Sequence, residues 1–246
     1  MPGSLMKAAT VAAVATAVAS ASPSRGGLVR GVPVPSAAQL EYQQREIVAL
    51  THFNMATFFR EGDPACSAFN WAKSQKPAAF APTKLNISNW LESYRAVGAK
   101  SAILTAKHGC GFHLWPTNVT LPNGDNYGYH VGGEGGIGID IVGEFARVMQ
   151  EAKMPHGFYY SLKDSFYMNA INDAVRPPST LIHGQVNVTQ QQFEDIEVAA
   201  VTELWSNYGD LVRTISVHFR IRLRTKERQW CAHRVRFAVF ADAAWV

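Results

Sequence analysis

The sequence predicts an α/β fold, the N-terminal portion of a (β/α)8 TIM-like barrel that stops after about three βα units. Three observations predict it. Short apolar runs alternate with amphipathic helical stripes from about residue 40 to Leu211. Segments that follow strands are long, whereas those that follow helices are only two or three residues. Polar residues able to carry chemistry gather at the strand ends, where a barrel builds its active site.

The first strand candidate is Ile47-Val48-Ala49-Leu50-Thr51-His52-Phe53. Ile87, Trp90, Leu91, Tyr94 and Val97 then fall on one helical face, and Gly98 stands as a C-terminal stop. Ser101 to Ala106 forms the second strand, and Ile141, Phe145, Val148, Met149 and Ala152 a second helical stripe. Gly157 to Ser161 is the third strand. Thr189 and Gln192 have the spacing of a capping box, opening a helix with Phe193, Ile196, Ala200, Leu204 and Tyr208 on one face. The long connections run over roughly 54–85, 107–138 and 162–188. No G-x-G-x-x-G follows the first strand, which argues against a dinucleotide-binding sheet. The glycines between Gly132 and Gly138 follow no strand and read as a flexible lid.

Composition bounds the chemistry. The 246 residues are 47% hydrophobic and 17% charged, far too apolar for a disordered chain. The formal charge of +4 hints at an acidic partner, but its distribution removes the hint. Residues 213–246 hold eight Lys/Arg against two acids, while residues 1–212 hold 15 basic and 17 acidic groups. The body is slightly acidic, and no nucleic-acid partner is expected. An arginine-bearing strand pattern over His218–Arg224 is the one feature that would serve an anionic partner.

Residues 1–21 read as a signal peptide: Lys7, a small apolar run from Ala8 to Val18, then Ala19-Ser20-Ala21. Residues 22–39 follow as a linker. This run is too short to span a bilayer, so an extracellular or lysosomal location without a membrane span is expected. Three sequons suit that compartment, at Asn86, Asn118 and Asn187. Cys66, Cys110 and Cys231 are too few for a disulfide framework; pairing of Cys66 with Cys110 is open.

The candidate functional residues are His52 in the first strand, Lys107 and His108 after the second, and Tyr159, Tyr160 and Lys163-Asp164 after the third. Trp71, Phe112 and Trp115 supply aromatic faces. Rings beside His, Lys and Tyr donors suit a carbohydrate, whose apolar faces stack while its hydroxyls take directed hydrogen bonds. No His-x-His or His-Glu-x-x-His spacing suggests a metal, and no cofactor is expected. A G-x-S-x-G elbow is also lacking.

Several motifs in order resemble the retaining alpha-L-fucosidases of glycoside hydrolase family 29, particularly the branch acting on 1,3/1,4-linked fucose. They are Thr51-His52-Phe53-Asn54-Met55-Ala56-Thr57-Phe58, Phe80-Ala81-Pro82-Thr83-Lys84-Leu85, and the run from Ile103 through Lys107-His108-Gly109-Cys110-Gly111-Phe112 to Thr117. Gly157 to Leu162 and Glu203 to Leu211 complete the set. The resemblance covers roughly residues 40–211 and implies hydrolysis of terminal alpha-L-fucosyl linkages in glycoconjugates. It implies that His52 and His108 bind fucose hydroxyls, that Tyr160, or Tyr159 if the strand faces the other way, lies near the reacting carbon, and that Trp71 lines the pocket. Lys107 and Trp115 complete the substrate-binding set.

Four departures stand out. Asn70 occupies a position that is often Glu, and Gly109-Cys110 replaces His-Asp. The family's fourth strand ends on a nucleophilic Asp, yet here Val212-Arg213-Thr214-Ile215-Ser216-Val217-His218-Phe219 contains none. The acid/base Glu is also missing, so this chain is expected to lack activity. Residues 212–246 read as an atypical basic tail, which read-through of a splice donor or a frameshift would explain. A non-catalytic fucose-binding protein is the alternative reading.

Overall fold

The computed structural model describes residues 34–58, 71, 73–209, 211 and 213–216. The chain divides into two compact units, Met1–Leu40 and Glu41–Val246. The signal peptide, Cys66, Asn70, Cys231 and the tail beyond Ser216 lie outside the described residues. A first helix, α1, covers Ala37–Gln44.

In the larger unit, β1 (Val48–Thr51), β2 (Ser101–Lys107) and β3 (His156–Tyr160) pair in parallel. A fourth parallel strand, β6 (Arg213–Ser216), adds beyond β3. The sheet order is β1-β2-β3-β6, so each strand lies beside its predecessor with no reversal. A doubly wound sheet would reverse at its centre. Three helices provide the crossovers: α2 (Ile87–Ala96), α3 (Ile141–Glu151) and α4 (Gln190–Asn207). The strand at Arg213–Ser216 falls within the stretch where the sequence pattern stops, because Arg and Ser interrupt its apolar run.

Each helix starts on a residue that satisfies its free backbone donors. Asn86 accepts from the Asn89 amide at 3.0 Å, and Asp140 from Gly143 at 2.8 Å. Thr189 and Gln192 form the reciprocal capping box their spacing predicts. Gly98, at φ 77°, ends the turn after α2 in the left-handed region. Val97, placed by periodicity on the buried face, is instead half-exposed at that helix end.

The register assigns each strand residue to a face. Ala49, Leu104 and Phe158 lie toward the helices, and Phe158 packs on Phe145 of α3 and Tyr208. Leu50, Ile103, Thr105 and Tyr159 occupy the opposite face. At the end of β2 a bulge intervenes: Thr105 pairs with Tyr159, but Lys107 pairs with Tyr160. The extra residue, Ala106, turns Lys107 to the helix face and leaves His108 to the other.

The long loops are packed structures. Within the third, β4 (Ala170–Ile171) and β5 (Ala174–Val175) form a hairpin turned by Asn172 and Asp173, both at positive φ. The Gly132–Gly138 segment, expected to be a flexible lid, is a chain of tight turns. Its amides bond inward, Gly133 to His130 and Gly138 to Val131, each at 2.9 Å. A Cβ at Gly133 would sit 2.1 Å from the Gly128 carbonyl oxygen, and one at Gly136 2.4 Å from that of Val131. Gly133 and Gly136 are there for close backbone approach, whereas Gly135 and Gly138, both at φ 69°, take the left-handed conformation the turns need.

Candidate functional site

The carboxyl ends of β1, β2 and β3 bring His52, His108 and Tyr159 together on the face away from the helices. The His52 and His108 rings are 4.5 Å apart at 64°, and His108 stacks on Tyr159 at 5.8 Å and 24°. All three are half-buried, unlike the residues behind them. Asn54 faces His52 Nδ1 at 3.1 Å and fixes that ring. Burial lowers the His52 pKa, favouring the neutral imidazole, and raises that of the Tyr159 hydroxyl, which stays a donor. The cluster therefore offers two imidazoles and a phenol, while Phe53 packs on Phe80 and on Trp90 of α2, and Phe58 on Phe80.

The other sequence candidates are placed differently. Trp71 is 1% exposed, donates from Nε1 to the His183 carbonyl at 2.8 Å and packs on Tyr129 and Phe166. Trp115 is equally buried, donates to Glu203 at 2.9 Å and stacks on His113. Lys107 has no exposure; its Nζ donates to the Ser161 and Asp164 carbonyls and to Glu197 Oε1, at 2.6, 2.9 and 2.8 Å. Tyr160 lies beneath that ammonium, its ring centre 4.9 Å away. All four side chains are buried, on the helix side of the sheet or in the loop core. Of the two tyrosines left open by the sequence, Tyr159 is the one beside His108.

Two carboxylates escaped the sequence reading. Glu197 is fully buried on α4, where burial raises its pKa and Lys107 opposes the rise. An acid four residues after Phe193, on the apolar stripe, was its only local signal. Glu203 accepts from Trp115 Nε1, from Thr117 Oγ1 at 2.5 Å and from the Asn118 amide at 2.8 Å. Its partners lie more than 80 residues upstream, so nothing local announces it.

Behind the cluster, His113 is sandwiched between Trp115 and Tyr127 at 4.2 and 4.3 Å, its ring almost parallel to both. Burial holds its pKa well below the ordinary value, with Lys107 and His130 adding repulsion. The unfolded chain takes up this proton first, so His113 supports the fold at neutral pH and that support falls as pH drops below about 6.5. The stability difference between the native chain and His113→Phe, measured by urea titration, is expected to shift toward the variant between pH 7 and pH 5. A difference independent of pH would overturn this. Gly111, at φ 87°, carries the loop past Ser165, where a Cβ would approach to 2.6 Å. Cys110 beside it is disulfide-bonded. Among the described residues, no group of three or more His, Cys, Asp or Glu could hold a metal ion.

Sequentially ordered parallel strands joined by helices define an α/β protein, with this polar cluster at the carboxyl ends of its strands. Residues 34–240 match the alpha-L-fucosidase family, and the chain belongs to it. It is 31% identical over 182 residues to Putative alpha-L-fucosidase 1 of Oryza sativa, covering 73% of this chain and 29% of that protein. It is 29% identical to Alpha-L-fucosidase 1 of Arabidopsis thaliana, covering 73% of this chain and 30% of the relative. The chain thus spans about 30% of the length of these plant relatives. A crystal structure of a putative alpha-L-fucosidase from Bacteroides thetaiotaomicron superposes with a TM-score of 0.57 at 29% identity, over 75% of this chain and 35% of that one. The family match runs past Leu211, through most of the stretch that the sequence reads as a tail.

Proposed function

We propose that this chain recognises terminal alpha-L-fucosyl groups of glycoconjugates on the plan of a retaining alpha-L-fucosidase, at the His52–His108–Tyr159 cluster. The observation that carries the proposal is the convergence of those three half-buried side chains at adjacent strand ends. Imidazole and phenol groups hydrogen-bond sugar hydroxyls, while the faces of the same rings meet the apolar edge of the sugar. In this reading the parallel sheet is part of a (β/α)8 barrel, the signal-like start directs the chain to the secretory pathway, and 1,3/1,4-linked fucose is the preferred substrate.

Retaining hydrolysis needs a nucleophilic carboxylate and an acid/base carboxyl roughly 5–5.5 Å apart. No acidic residue occurs between Asp210 and Glu227, across and beyond the fourth strand where the family resemblance places the nucleophile. The 246-residue chain is therefore expected to bind fucose without hydrolysing fucosides. Calorimetry should give saturable L-fucose binding, weakened about tenfold by His52→Ala or His108→Ala through loss of a directed hydrogen bond. An aryl alpha-L-fucoside should release no phenol. Turnover by the purified chain would refute the inactivity, and unaltered affinity in both variants would refute the site.

A further inference from the structure

We infer that the buried Lys107–Glu197 pair is a positioning device that pins the bulge at Ala106 and so aims His108 at the ligand face; this rests on the recognition site proposed above. A strand alternates faces, so a single extra residue decides which side every later side chain takes. Without the bulge, Lys107 would continue the alternation of Ile103 and Thr105 and share the face of Tyr159, and His108 would turn toward the helices. In the structure the reverse holds: Lys107 pairs across the sheet with Tyr160, and the His108 ring meets His52 and Tyr159.

The bonds that hold this arrangement all lie on the helix side. Glu197 Oε1 takes the ammonium at 2.8 Å, and both side chains are fully buried. The same ammonium donates to the Ser161 and Asp164 carbonyls, tying the end of β2 to the chain that leaves Tyr159 and Tyr160. Backbone bonds complete the clasp: the Ser161 amide donates to the Lys107 carbonyl and the Leu114 amide to the Ala106 carbonyl, each at 3.0 Å. Lys107 touches no ligand in this arrangement. It orients, from behind the sheet, the residue next to it that does.

The test separates position from stability. The variant Lys107→Met/Glu197→Leu replaces the ion pair by apolar groups of similar size, a change that buried pairs often tolerate. It should melt near the native chain while its fucose Kd rises about tenfold or more, and the NMR shifts of His108 imposed by the His52 and Tyr159 rings should collapse toward free values. Glu197→Gln keeps the shape of the side chain and a hydrogen bond to Lys107, and should retain most of the binding and the ring shifts. If the double variant fails to fold, Lys107→Met/Glu197→Gln, which also removes both charges but keeps the shape of the acidic side chain, carries the same two readouts. Native fucose affinity together with native His108 shifts, in a folded variant without the pair, would overturn the inference. If the native chain binds no fucose, the recognition reading falls, and the ring shifts alone still decide the positioning role.

Discussion

Replacing Lys107 by Met alone is expected to destabilise the chain by about 3–5 kcal/mol, the cost of leaving a buried carboxylate without its counter-charge. Glu197 would keep its place on α4, fully buried, with Oε1 stripped of the ammonium that now donates to it. Two backbone carbonyls, of Ser161 and Asp164, would lose the same donor. Burial already pushes the Glu197 carboxyl upward and the Lys107 amine downward, so neither charge is comfortable without the other. The double variant should recover most of the loss, since removing both charges leaves no uncompensated ion. Urea titrations at pH 7 would read this as a lowered midpoint for the single variant at unchanged slope. A single variant within about 1 kcal/mol of the native chain would show that the pair is solvated or exchanges partners.

Glu203→Ala should cost about 3 kcal/mol, because one side chain serves three donors. Trp115 Nε1 and Thr117 Oγ1 would be left in a dry interior, where each unsatisfied group costs on the order of 1–3 kcal/mol. Glu203→Gln is the informative comparison. Its amide oxygen can still accept, so it should lose less than Ala. The measurement is again a denaturant midpoint, joined by hydrogen exchange of the Asn118 amide, which should quicken by at least tenfold in Glu203→Ala. Protection equal to that of the native chain would show that the loop does not depend on this carboxylate.

Much of the fold was legible because its signals are local. Alternation and helical spacing depend on neighbours within a few residues, and so do caps. Asn86, Asp140 and Thr189 cap helices through bonds that span three positions. The capping box and the glycine stop at Gly98 were readable for the same reason. The fourth strand was not, since Arg213-Thr214-Ile215-Ser216 has neither a buried apolar run nor a clean alternation. Its place is assigned by pairing with β3, a contact between residues more than 50 apart in the chain. The glycine-rich segment misled for a related reason: composition cannot distinguish glycine that frees a loop from glycine that lets backbones touch.

The site divides along the same line. From the sequence alone come the residue types at the strand ends, the carbohydrate-suited chemistry of His52 and His108, and the resemblance that family comparison upholds. Which of those residues stand together at the strand ends was decided by tertiary structure. A one-residue bulge sends Lys107 and Tyr160 behind the sheet and leaves His108 with Tyr159 in front. Loop packing buries Trp71 and Trp115 on partners that no local pattern names. Sequence periodicity carries two faces of a strand but not their absolute assignment once register shifts. That assignment is fixed only when the helices, the buried Lys107–Glu197 pair and the neighbouring strands meet.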